Sequence, residues 1–99
     1  MALELFLFWY FVVGFLLGNG MPHFAFGAAA LVFRSPFGQR SSPRTNILWG
    51  LSNFVAATVI CAALAALGDY DSYSLAVLLL GFWLTTVVFG VRIKQFLND

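Results

Sequence analysis

The chain has 99 residues, of which nine are charged and 62% are apolar, with a formal net charge of +1. Soluble domains carry roughly 25% charged and about 45–50% apolar residues, and a chain this short encloses too little interior to hide the excess. Composition therefore excludes a soluble globular domain, a disordered chain and, for want of a dense basic face, a nucleic-acid binder. What remains is an integral membrane protein.

A bilayer core about 30 Å thick calls for roughly 20 mostly apolar residues per crossing helix. The first such run is residues 3–20, which contains Leu5-Phe6-Leu7-Phe8-Trp9-Tyr10-Phe11. Its only early charge is Glu4, whereas a cleaved secretory signal needs a basic start, so the run reads as a retained membrane helix. Gly14 and Gly18 form a Gly-x-x-x-Gly pair on it, a spacing that lets two helix backbones approach closely.

Residues 21–33 are the ambiguous part. Gly18-Asn19-Gly20 followed by Pro22 weakens a helix at this point, because glycine is flexible and proline removes a backbone donor. Thirteen residues are too few for an ordinary crossing, so the expectation is a half-length segment that re-enters the membrane or lies at its interface. A thin fourth crossing and a continuous, kinked first helix are the alternatives.

Residues 34–45 form a polar link with Pro36, Gly38, Pro43 and several serines. Ser42 before Pro43 reads as a helix cap followed by proline at the first helical position. The second helix is predicted over residues 46–67, where Asn46, Gly50, Asn53, Ala57, Cys61 and Ala65 fall near one stripe at helical spacing. Residues 68–74 are an acidic turn in which Gly68 ends one helix and Asp71 or Ser72 caps the next. The third helix follows over residues 75–93, with Gly81 before Thr85 and Thr86 before Gly90 repeating the small-residue spacing. Residues 94–99 form a tail. The short turn implies that the second and third helices make an antiparallel hairpin. The fold class is thus all-α: one polytopic membrane domain of three crossing helices plus a half-length segment, with Gly14, Gly18, Gly50, Ala57, Gly81 and Gly90 as packing positions.

The charges orient it. Arg34, Arg40 and Arg44 in the link, and Arg92 and Lys94 after the third helix, form a basic rim that the positive-inside rule assigns to the cytoplasm. Glu4, Asp69 and Asp71 then lie outside. The expected topology is a multi-pass cell-membrane protein with its N-terminus outside and its C-terminus cytoplasmic. Trp9, Tyr10, Trp49, Tyr70 and Tyr73 fall near the interfaces that amphipathic rings prefer.

Few residues could carry chemistry. His23 is the only histidine and sits at the expected break; Asn19 and Asn53 are neutral amides at membrane depth, where polar groups need partners. These three are the candidate polar site. Thr85 and Thr86 can return their hydroxyls to helix carbonyls. The lone Cys61 is a small packing residue. No nucleophile–base pair, metal-ligand spacing or phosphate loop is present, so no enzyme, metal or cofactor is expected.

Three pieces carry a resemblance: Asn19-Gly20-Met21-Pro22-His23-Phe24, then Ser35-Pro36-Phe37, then Asn46-Ile47-Leu48-Trp49-Gly50 with Asn53. In this combination the chain resembles a set of small, uncharacterised bacterial integral membrane proteins. The resemblance implies that the segment after the first helix and the link form one shared structural unit, and it supplies no activity.

Helices with so many small faces bury little within one chain, so a homo-oligomer or a larger membrane-protein partner is expected beside the lipid bilayer. The leading expectation is an accessory or assembly subunit that docks through those small-residue faces. The alternative is a homo-oligomeric channel or transporter for a small solute or ion, with its polar site at the helix break.

Overall fold

The computed structural model describes residues 1–97 and contains three α-helices: α1 (Leu3–Ala28), α2 (Pro43–Ala66) and α3 (Ser74–Phe96). At about 1.5 Å per residue, each exceeds the roughly 30 Å needed to cross a bilayer core. All three are apolar enough to do so. The tail residue Asp99 lies outside the described residues.

The half-length segment is not there. Helix α1 runs unbroken through Gly18, Gly20 and Pro22 to Ala28, so most of residues 21–33 extend the first helix. The propensities behind the expected break were measured in water. In lipid an unwound backbone has no solvent to bond to, so a helix tolerates proline and glycine at membrane depth. The glycines also have another task, described below.

α1 ends in a Schellman motif. The Leu31 amide bonds the Phe26 carbonyl at 3.0 Å and the Ala30 amide bonds the Gly27 carbonyl at 2.9 Å. The left-handed position is filled by Ala30, at φ +63°. α2 ends in the same motif with Gly68 in that position, at φ +72°; Asp69 bonds Leu64 and Gly68 bonds Ala65. α2 begins with Ser42 as its cap, whose hydroxyl accepts the Thr45 amide at 3.1 Å, and with Pro43 in the first turn. α3 is entered differently from either predicted cap. Tyr73 holds the cap position without a side-chain bond, and Asp71 accepts the Tyr73 amide at 2.8 Å.

The link folds back over the end of the bundle. Phe33 pairs with Leu97 as an isolated antiparallel bridge, and the Arg34 amide donates to the Phe96 carbonyl at 2.7 Å. Ser35 and Gly38 exchange backbone bonds around a tight turn, which the Ser35 and Ser41 hydroxyls brace at 2.6 Å.

α1 is the central helix. It packs along both α2 and α3, while no Cα of α2 lies within 8 Å of one in α3. α2 and α3 are antiparallel but do not pack backbone to backbone, so the expected hairpin is split by α1. The reason lies in four glycines of α1. A Cβ on Gly14 would strike the Leu78 carbonyl, and one on Gly18 would lie 2.9 Å from the Thr85 Cβ, so both glycines face α3. A Cβ on Gly20 would lie 2.9 Å from the Gly50 carbonyl, and one on Gly27 would lie 2.7 Å from the Pro43 carbonyl, so these face α2. At 3.6 residues per turn the two glycine pairs point roughly 150° apart around α1. Two partners seated on such faces cannot touch each other closely. Gly50 and Gly81 are the reciprocal contacts on α2 and α3, and Ala57 is buried. Gly90 meets nothing within 4 Å and is no packing position within the chain.

The outer faces remain apolar and exposed: Val55, Val59, Leu80 and Trp83 are each 61% exposed and Val91 is 81% exposed. Only a lipid environment or a partner protein suits such surfaces. At the end opposite the link, the Tyr10 hydroxyl donates to the Asp69 carbonyl at 2.9 Å, and its ring meets Tyr70 edge to face.

Candidate functional site: a cleft at the basic end

His23 and Asn46 form the centre of the basic end. Asn46 is wholly buried and His23 is 2% exposed. The Asn46 Nδ2 donates to the carbonyls of Phe33 at 2.8 Å, Ser42 at 3.1 Å and Ser41 at 3.3 Å. Three acceptors on that side fix the amide orientation, so Oδ1 must accept. Nδ1 of His23 lies 2.7 Å from this Oδ1. The network thereby places a proton on Nδ1, which donates to Asn46.

Phe33 is fully buried beside this pair. It stacks on Phe26 at 4.9 Å and Phe96 at 5.4 Å, and meets His23 edge to face at 5.3 Å. Phe89 meets His23 edge to face at 5.6 Å. One residue of the link thus joins α1 and α3 through rings, and α2 through the Asn46 amide.

The second polar pair sits about one turn deeper. Asn19 donates to Asn53 Oδ1 at 3.1 Å, and Asn53 Nδ2 donates to the Trp49 carbonyl at 2.8 Å. The structure therefore brings Asn19 and Asn53 together but pairs His23 with Asn46, a residue that the sequence placed at the start of the second helix and on its stripe but not in the candidate site. A signal was present: partners across antiparallel α1 and α2 have residue numbers summing to about 70. Gly20 with Gly50 sets that register, and Asn19 with Asn53 and His23 with Asn46 follow it. Thr85 donates to the Gly81 carbonyl at 2.9 Å, as a helix threonine commonly does.

Because α2 and α3 stand apart, a cleft of about 550 Å³ opens between them. Phe15, Asn19 and His23 of α1 form its floor. Trp49 of α2 lines one side; Leu84, Thr85, Val88 and Phe89 of α3 line the other. Its rim is Arg34, Ser35 and Pro36 from the link with Arg92 and Phe96 from α3. Asn53 does not line it. The basic rim therefore divides: Arg34 and Arg92 border the cleft, and Arg40, Arg44 and Lys94 do not.

The Arg34 guanidinium carbon lies 5.8 Å from the centre of the Phe96 ring. Arg92 donates through Nε and Nη2 to Gln95 Oε1 at 3.2 and 3.0 Å. Among the described residues, no carboxylate pairs with either arginine. Trp49 carries the one buried side-chain donor without a partner among them, its Nε1. No described cluster of three or more His, Cys, Asp or Glu could hold a metal ion.

Comparisons with protein-family models, curated proteins and solved structures give no match. Function must therefore be argued from this geometry.

Proposed function

We propose that the protein is a non-enzymatic, multi-pass cell-membrane protein that serves as an accessory or assembly subunit, with its basic end in the cytoplasm and its N-terminus outside. One observation carries this reading: the polar side chains at membrane depth are spent on one another. His23 is held by Asn46, Asn19 by Asn53, and Thr85 by its own helix. A homo-oligomeric channel would need these groups free to meet a solute, and an enzyme would need one of them poised to react. What they do here is lock a pre-packed three-helix unit.

The docking surface differs from the one expected. Gly14, Gly18, Gly50 and Gly81 are occupied by helices of the same chain. The surface left for a larger membrane partner, or for further copies of the chain, is the outer face of α2 at Val55 and Val59 and of α3 at Leu80, Trp83 and Val91. The positive-inside rule supports the orientation.

Site-specific photo-crosslinkers at Val59 and Val91, with one at Ala57 as an inward control, test this in living cells. The reading expects adducts of one recurrent membrane polypeptide from the outer positions and none from Ala57. Self-adducts alone, accompanied by ion or solute flux in liposomes, would replace it with the channel.

A further inference from the structure

We propose that the cleft between α2 and α3 is a binding site for an anionic membrane phospholipid, its phosphate held between Arg34 and Arg92 and the start of an acyl chain lying along α3. This inference does not depend on the accessory-subunit reading.

Four observations support it. First, the cleft is of ligand size, since 550 Å³ falls inside the range of roughly 300–1,000 Å³ seen for small-molecule sites. Second, it is amphipathic in the order a lipid requires. Its membrane-facing stretch is Leu84, Val88 and Phe89, and its cytoplasmic rim carries Arg34 and Arg92. Leu84, Val88, Phe89 and Arg92 follow one another toward the end of α3, and Arg34 of the link lies at that same end, so the charge lies at headgroup depth and the apolar wall lies at acyl depth. Third, no described carboxylate pairs with the arginines. Phe96 and Gln95 instead hold them in place, and the Nη1 of Arg92 makes no bond to Gln95. Fourth, donors remain. Trp49, which lines the cleft, keeps a buried Nε1 without a partner among the described residues, and no described acidic residue lines the same cleft. Donors with no negative neighbour select an anion over a zwitterion or a cation.

A lipid is a better occupant than a soluble anion because of where the cleft opens. The α2 and α3 backbones stay more than 8 Å apart at every Cα, so the gap between them at the basic end faces the bilayer sideways. An acyl chain reaches it without leaving the membrane.

The test uses the full chain in detergent, titrated with phosphatidylglycerol and followed by native mass spectrometry, with phosphatidylcholine and inorganic phosphate as comparison probes. The proposal predicts a 1:1 phosphatidylglycerol adduct that phosphatidylcholine does not match and millimolar phosphate does not displace. Arg34→Gln and Arg92→Gln should each weaken it about fivefold, the worth of one basic charge at a membrane surface. Arg40→Gln and Arg44→Gln should leave it unchanged, and Val88→Trp should abolish it by filling the cleft. Circular dichroism verifies that each variant stays helical; if an arginine variant unfolds, Val88→Trp and the lipid selectivity decide alone. Equal losses from all four arginine variants would reduce the effect to diffuse surface charge and overturn the site. Displacement by phosphate, an adduct surviving Val88→Trp, or the absence of a phosphatidylglycerol adduct would also overturn it.

Discussion

His23 of α1 and Asn46 of α2 meet through a 2.7 Å hydrogen bond, and the same Asn46 amide donates to the Phe33 carbonyl at 2.8 Å. One buried side chain thereby ties α1 and α2 to the link that joins them. Replacing it should cost more than replacing the other buried amide. In Asn46→Leu the Ser41 and Ser42 carbonyls keep backbone partners, but the Phe33 carbonyl and His23 Nδ1 lose theirs. At roughly 1–3 kcal/mol per orphaned group, the loss is about 2–6 kcal/mol. Asn53→Leu orphans only Asn19 and should cost about 0.6–2 kcal/mol. Denaturant titration of both variants in mixed micelles measures the order.

The glycine faces make a second, steric prediction. Ala at Gly14 or Gly81 places a methyl group against the opposing backbone, at Leu78 or Phe11 respectively. Backbone cannot swing aside as a side chain can, so α1 and α3 must separate. Each variant should lose about 1–3 kcal/mol, the usual cost of overpacking. Gly90→Ala, which meets no neighbour, should instead leave the protein unchanged or more stable by up to about 1 kcal/mol, the helix preference of alanine over glycine. The same unfolding titration separates the two outcomes.

The two Schellman motifs carry different residues at the same left-handed position. A non-glycine residue there is strained by roughly 1–2 kcal/mol, and glycine returns part of the gain through its freedom in the unfolded chain. Ala30→Gly should therefore stabilise the protein by about 0.5–1 kcal/mol, and Gly68→Ala should destabilise it by about 1 kcal/mol. Opposite signs from chemically opposite substitutions are the signature to look for.

Orientation is tested by labelling. In a Cys61→Ser background, a membrane-impermeant maleimide added to intact spheroplasts should modify Tyr70→Cys and spare Arg40→Cys. Lysis should expose Arg40→Cys. The reverse pattern would invert the topology proposed above.

The three long apolar helices were legible because length and apolarity are properties of a run, and the caps at Ser42 and Pro43 are local. What misled was chemistry whose meaning depends on a neighbour. Gly20 and Pro22 look like a break in water but sit inside α1, and Gly20 is one of two places where the backbone of α2 comes close. Gly27 carries no local signal at all; only the seven-residue spacing from Gly20 marks it. Gly90 has the right spacing from Thr86 and no helix opposite it. His23 was conspicuous as the only histidine, yet its partner Asn46 was hidden in the role of a helix start. The cleft was not legible, because it arises from the angle between two glycine faces on α1.

The central claim is that α1 lies between α2 and α3. Paired cysteines in the Cys61→Ser background test it most directly, by oxidative crosslinking in native membranes. Asn19→Cys with Asn53→Cys should form an α1–α2 disulfide, and Gly18→Cys with Thr85→Cys should form an α1–α3 disulfide. Asn53→Cys with Thr85→Cys should form none. A disulfide between positions 53 and 85, with the two α1 pairs unreactive, would mean that α2 and α3 pack on each other and would contradict the arrangement from which the cleft follows.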